Sequence, residues 1–190
     1  MMIRRRQSSS RGFTLIEMMT VVVLVGVLAT LAVYGVRKYI LSAKSGEAVS
    51  MMAAIKAAEE AFKDETYVYL NVSTDFTDPN WYPNSNTATL GKVKVQWGGG
   101  PAALANNWKT LGVWPNAPTQ FSYAVVAIAP GGSVPATPTV VKTNFGLPTS
   151  ATEWMYIAAA RADLGGKDGV YTVVMSHSLS SDIYVENEGE

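Results

Sequence analysis

The hydrophobic pattern divides the chain near residue 65. From Met18 to Val36, 19 residues pass without a charge, and thirteen of the 24 positions from Phe13 to Val36 are Phe, Leu, Ile or Val. As a helix rising about 1.5 Å per residue, those positions reach about 36 Å, enough to cross a hydrocarbon core of about 30 Å. Past Val36 the apolar run gives way to a helical repeat, Ala48, Met52, Ile55, Glu59 and Phe62, broadened by Met51, Ala58 and Ala61. That spacing turns one face toward a core. Lys56 with Glu60, and Glu59 with Lys63, stand four apart and predict charge pairs on the solvent side. The pattern predicts one helix over 13–65, with 13–36 in the membrane and the second half packed against a domain.

Periodicity changes after residue 65. Between Thr66 and Leu90, Asn, Asp, Ser, Thr and Pro surround Trp81 and Tyr82, which predicts a long surface connection. Its two aromatics either form an interface or fold back into the domain. Strand signals follow at Lys92–Trp97, Gln120–Ala129, Trp154–Ala160, Val170–Ser176 and Asp182–Val185. Gly98-Gly99-Gly100-Pro101 and Pro130–Pro138 break the chain, and Asp163–Gly169 reads as a hairpin connection. A helix followed by antiparallel strands is an α+β architecture, with 66–190 as one C-terminal β-sheet domain.

The net charge of zero hides an uneven distribution. Arg4, Arg5, Arg6 and Arg11 lie in the first twelve residues, so a chain starting at Phe13 carries 15 − 4 = 11 basic groups against 15 acidic ones, about −4. That balance disfavours nonspecific nucleic-acid binding. Four arginines before the apolar span, against Arg37 and Lys38 after it, place the N-terminus in the cytoplasm by the positive-inside rule. A cleaved secretory signal would end in small residues after the run, whereas Ala29, Thr30 and Ala32 lie within it. With no cysteine there is no disulfide, thiolate nucleophile or Cys-ligated zinc.

Glu17 is the residue most in need of a reason, because a carboxylate among Phe13, Leu15, Ile16, Met18 and Met19 is costly in apolar surroundings. A glutamate reaching the headgroups at the positive end of a helix is one reading. Another comes from the run Gly12-Phe13-Thr14-Leu15-Ile16-Glu17 behind a short basic leader, which resembles the processing motif of type IV prepilins and type II secretion pseudopilins. The resemblance implies removal of residues 1–12 by a prepilin peptidase that cuts after Gly12 and N-methylates Phe13. Glycine suits that position because it lets backbone lie close to a protease. Cleavage would create an α-amine at Phe13, four residues from Glu17 and on the same face if both are helical. The resemblance adds the amine of a neighbouring subunit as a second candidate partner, and both remain open at this stage. Thr14 either adds a hydroxyl to this polar cluster or only starts the helix.

The same resemblance implies the pilin fold and assembly with other subunits into a filament, served by an inner-membrane platform and an assembly ATPase. It covers about Arg11 to Tyr69. Many members of the family carry a helix-kinking proline where this chain has Tyr34; Gly26 and Gly35 permit a bend without imposing one. Many also close the C-terminal region with a disulfide, which this chain cannot do. A single-pass anchored binding module that never polymerises is the alternative from another class.

Other candidate chemistry is sparse, and no cofactor or metal is expected. The Asp163–Gly169 loop offers only Asp163 and Asp168 as carboxylates beside an opposing Lys167, against the six to eight oxygens calcium takes. His177 stands between serines with no second histidine, and Gly98–Gly100 lacks the Lys-Ser/Thr of a phosphate loop. The tryptophans at 81, 97, 108, 114 and 154 are scattered, which favours core and interface packing. No constellation supports an anchored hydrolase.

Overall fold

The computed structural model describes residues 12–86, 88–136, 146–166 and 170–188. The chain forms two compact units, residues 1–38 and 39–190. A 52-residue helix, α1 (Leu15–Thr66), contributes to both. In the first unit its apolar side chains are exposed, Val22, Leu24, Leu28 and Leu31 each by 63–69%.

In the second unit α1 buries a single stripe, Ser45, Ala48, Met52, Ile55 and Glu59. A second helix, α2 (Ala102–Leu111), buries Leu104, Trp108 and Leu111 and ends on Gly112 in the left-handed conformation, the usual geometry of a helix C-terminus. Four strands then form an antiparallel meander: β1 (Ser122–Ile128), β2 (Met155–Ala162), β3 (Thr172–His177) and β4 (Tyr184–Glu186). The register pairs Val125 with Ala158, Ala160 with Val174 and Val174 with Val185.

Side-chain alternation gives the sheet two buried faces. One carries Tyr123, Val125, Tyr156, Ala158, Ala160, Ala162 and Val174 into the same cluster as Ala48, Met52 and Ile55 of α1. The alanines of β2 leave room for the helix to seat closely. The other face joins Ala124, Val126, Ile157, Ala159 and Met175 to Phe76 and Trp81 from the segment after α1. With both faces covered, all eight residues of β2 are buried, hence its continuous apolar run rather than a two-residue alternation.

The α+β architecture and four of the five strand expectations hold, with bounds shifted by a few residues. Lys92–Trp97 is not a strand. Val95 makes one bridge to Thr119, with paired bonds of 2.8 and 2.9 Å, and no ladder extends from it. The helix α2 had no counterpart in the sequence reading, since its ten residues sit between a glycine run and a further proline.

The segment expected to run over the surface after α1 is instead part of the core. Tyr69, Val72, Phe76, Trp81, Tyr82 and Leu90 are all buried, and Tyr82 exchanges backbone hydrogen bonds of 2.9 and 2.6 Å with Tyr123 at the edge of β1. Trp81 and Tyr82 are fully buried, which settles their role in favour of folding back. The segment serves both faces of the sheet: Phe76 and Trp81 cover the second apolar face, while Tyr69, Val72 and Tyr82 join the cluster on the α1 face.

The two predicted charge pairs on α1 are also corrected. Glu59 lies on the stripe and has no exposed surface. The Lys63 ammonium donates to the Tyr69 hydroxyl at 3.0 Å, and Lys56 donates to the Ser180 carbonyl. Register on the helix placed Glu59 inward, and the lysines found partners in other segments.

Candidate functional site

Gly12, Phe13 and Thr14 precede the helix and are exposed. Thr14 is the residue that starts it. Its carbonyl accepts the first helical bond from the Met18 N–H at 3.2 Å, and its hydroxyl accepts from the Glu17 N–H at 3.3 Å. Glu17 reaches back, its Oε2 accepting from the Thr14 backbone N–H at 2.8 Å and from the Thr14 hydroxyl at 2.7 Å. This reciprocal arrangement is a capping box. It satisfies donors that a helix start would leave bare in an apolar medium. It also gives Glu17 two partners within its own chain.

Thr14 thus both starts the helix and hydrogen-bonds the Glu17 carboxylate, and Phe13 lies before the first helical bond. Both bonds that the Glu17 carboxylate accepts from Thr14 use Oε2, and Oε1 lies outside the capping box.

The other two threonines of the span turn their hydroxyls onto the helix backbone. Thr20 donates to the Ile16 and Glu17 carbonyls at 3.1 and 2.9 Å, and Thr30 donates to the Val27 carbonyl at 2.7 Å. Such back-bonding hides polar groups from lipid. By length and composition the helix can cross a membrane; its most apolar 18-residue window has a mean hydropathy of 2.4 and no buried residue.

A methyl group added at Gly12, Gly26 or Gly35 would meet nothing within 4 Å. Packing within the chain therefore demands glycine at none of the three. The helix passes through Gly26, Tyr34 and Gly35 without interruption.

Elsewhere the structure explains the titratable groups by packing. Among the described residues, no three His, Cys, Asp or Glu side chains gather to hold a metal ion. Asp163 is buried, accepts from the Gly166 N–H at 2.7 Å and lies 3.7 Å from the Lys92 ammonium. Lys167, Asp168 and Gly169, the rest of that candidate calcium loop, lie outside the described residues. His177 is buried at the end of β3, its ring stacked on Tyr184 with centroids 6.0 Å apart. Trp97 and Trp108 pack edge-on at 5.2 Å in a cluster with Tyr82 and Tyr123. Trp114 is the half-exposed exception.

Two carboxylates that the sequence reading passed over anchor α1 in the second unit. Glu47 Oε1 accepts from the Gln120 backbone N–H at 2.8 Å, while Oε2 lies 3.3 Å from the Lys94 ammonium. Glu188 Oε1 accepts from the hydroxyls of Ser42 and Ser45 at 2.7 and 2.8 Å. The position of Glu47 next to Ala48 on the stripe was a usable signal for the first; the second had none.

Residues 7–33 match the family model described as the prokaryotic N-terminal methylation motif. The chain is similar to the type IV major pilin protein PilA of Myxococcus xanthus (strain DK1622), 33% identical over 75 residues that make up 40% of this chain and 34% of that protein. The similarity thus spans about a third of the relative's length. No solved structure matches the chain.

Proposed function

We propose, from the premise that this chain is type IV pilin-like, that it is a structural subunit of a type IV pilus or a related filament. A prepilin peptidase cuts between Gly12 and Phe13 and N-methylates Phe13, and the apolar helix is retained as membrane anchor and then as filament core. Thirteen large apolar side chains at about −0.3 to −0.6 kcal/mol each favour insertion by about 4 to 8 kcal/mol. The precursor rests in the inner membrane with its N-terminus cytoplasmic and residues 39–190 on the far side. Assembly then exchanges lipid for neighbouring helices in an open, repeating contact, driven by the platform and ATPase of such systems.

The observation that carries this reading is the capped carboxylate of Glu17 at the start of an uncharged, membrane-length helix, directly behind Gly12-Phe13. Thr14 supports the carboxylate through Oε2, and in the filament Oε1 receives the Phe13 amine of a neighbouring subunit. Gly12 fits the demand of a protease, since the chain's own packing makes none there. Gly26 and Gly35 supply local helix flexibility in place of the proline. Roles in surface adhesion, twitching motility or secretion are the activities such a filament serves.

Mass spectrometry of the purified protein, combined with recovery of sheared surface filaments, tests the proposal. A chain beginning at methylated Phe13 and present in filaments is expected. Retention of Met1–Gly12 overturns the processing step. A processed chain found in the membrane and absent from every filament preparation overturns assembly and leaves the anchored binding module.

A further inference from the structure

Glu59 is a carboxylate with no exposed surface, on the face of α1 that meets the sheet. One oxygen, Oε2, accepts from the backbone N–H of Leu70 at 3.0 Å. The other, Oε1, is buried without a hydrogen-bond partner, as is the hydroxyl of Tyr156 on β2. Leu70 belongs to the segment by which the chain leaves α1: Tyr67 closes the helix with a positive φ of 64° and a 2.7 Å bond to the Lys63 carbonyl. Tyr69 packs edge-on against Tyr156 at 4.8 Å. The next backbone tie is Ser73 to the Val125 carbonyl at 2.7 Å. The Leu70 bond is thus where the returning segment is fastened to the helix.

We infer that Glu59 is a proton-dependent latch: neutral, it fastens the segment after α1 to the helix, and loss of its proton weakens that fastening. The groups around it offer no compensating cation. Glu60 on the same helix is a like charge, Tyr69 from the returning segment and Tyr156 from β2 are phenols, and the Lys63 ammonium turns to the Tyr69 hydroxyl and ring, with Glu60 and Glu153 near it. Burial pushes the Glu59 carboxyl up to about 8, with Glu60 adding to the rise and the Leu70 bond opposing it.

The sign follows from linkage. A carboxyl raised in the closed form and ordinary in the open form holds its proton only when closed, so raising the pH favours opening. The effect begins near the ordinary carboxyl value of 4.5 and is complete near 8. The latch is tightest in acid.

Hydrogen exchange at the Leu70 amide of the full chain in detergent micelles, corrected for intrinsic exchange, reads the latch directly. The opening constant should rise about tenfold per pH unit from pH 5 and flatten by pH 8, and in Glu59→Gln it should stay level across that range. A level profile in the wild type, or the same slope in Glu59→Gln, overturns the inference. Glutamate carboxyls labelled with carbon-13 in the wild-type chain give a second readout that needs no variant. One carboxyl still protonated at neutral pH is expected, and full ionisation of every glutamate by pH 6 overturns the latch.

Discussion

Replacing Glu47 by alanine should destabilise residues 39–190 through a lost hydrogen bond far more than through a lost ion pair. Glu47 Oε1 is 2.8 Å from the N–H of Gln120, a residue only 7% exposed. Removing the acceptor leaves a buried donor bare, at about 1–3 kcal/mol. The Lys94 pair contributes less: its side chains are 58% and 28% exposed, and an exposed pair of that kind is worth about 0–1 kcal/mol. Glu47→Ala should therefore cost about 2–3 kcal/mol, Lys94→Ala under about 1, and Glu47→Gln, which keeps a carbonyl acceptor, about 1. At about 2–4 °C per kcal/mol for a unit of this size, the alanine variant should melt about 4–12 °C lower. Fluorescence of the buried Trp81, Trp97 and Trp108 follows melting in detergent without an added probe. The loss should survive in about 1 M salt, where exposed pairs are screened. Equal losses in Glu47→Ala and Lys94→Ala, or a loss that disappears in salt, would refute the reasoning and return the energy to the ion pair.

Three further changes probe other parts of the chain. Thr14→Val should cost the helix start about 1 kcal/mol and fray its first turn in micelles, with Thr14→Ser restoring it; amide chemical shifts of residues 15–18 report this, and an unfrayed valine variant would remove the cap from the account. Glu17→Ala should be cleaved normally yet incorporate poorly into filaments, and immunoblots of sheared fractions against whole cells measure the ratio; normal incorporation would take Glu17 out of assembly. Gly91→Ala would put a methyl group 2.4–2.6 Å from the backbone of Asp163 at a φ of +75° and should lower the melting temperature by several degrees, whereas Gly46→Ala on α1 meets nothing within 4 Å and should raise stability by about 0.5–1 kcal/mol. A similar sign for both would mean that neither the clash nor helix propensity decides.

The N-terminal half of α1 was legible because its pattern answers to one solvent: nineteen uncharged residues and a lone carboxylate need no knowledge of any other segment. The candidate site was legible as a set, Gly12 through Glu17, but its geometry was not. That Thr14 caps the helix and excludes Phe13 from it depends on where the first helical bond forms. In residues 39–190 the strands that became β1 to β4 announced themselves by β-branched and apolar density. What stayed hidden was long-range. Glu59 carries the composition of a surface residue and the register of a core one, and the register prevails because α1 meets the sheet along that line. Trp81 and Tyr82 sit in a polar stretch that looks like loop, yet the two faces of the sheet draw them in, Trp81 to the face without a helix and Tyr82 to the α1 side beside Trp97. Lys92–Trp97 alternates like a strand but has only Thr119 to pair with.

The hydrogen bonds from Ser42 and Ser45 to Glu188 join positions 146 and 143 residues apart. They impose an order in time. During synthesis the apolar start of α1 leaves the ribosome first, while the sheet that will cover its later stripe has yet to be translated. The stripe of Ala48, Met52 and Ile55 stays uncovered until β2 and β3 arrive, and the serines find their carboxylate later still. Contacts so distant in sequence form slowly. This leaves an interval in which the half-made chain presents an apolar helix face to its surroundings, and aggregation competes with folding until the sheet arrives.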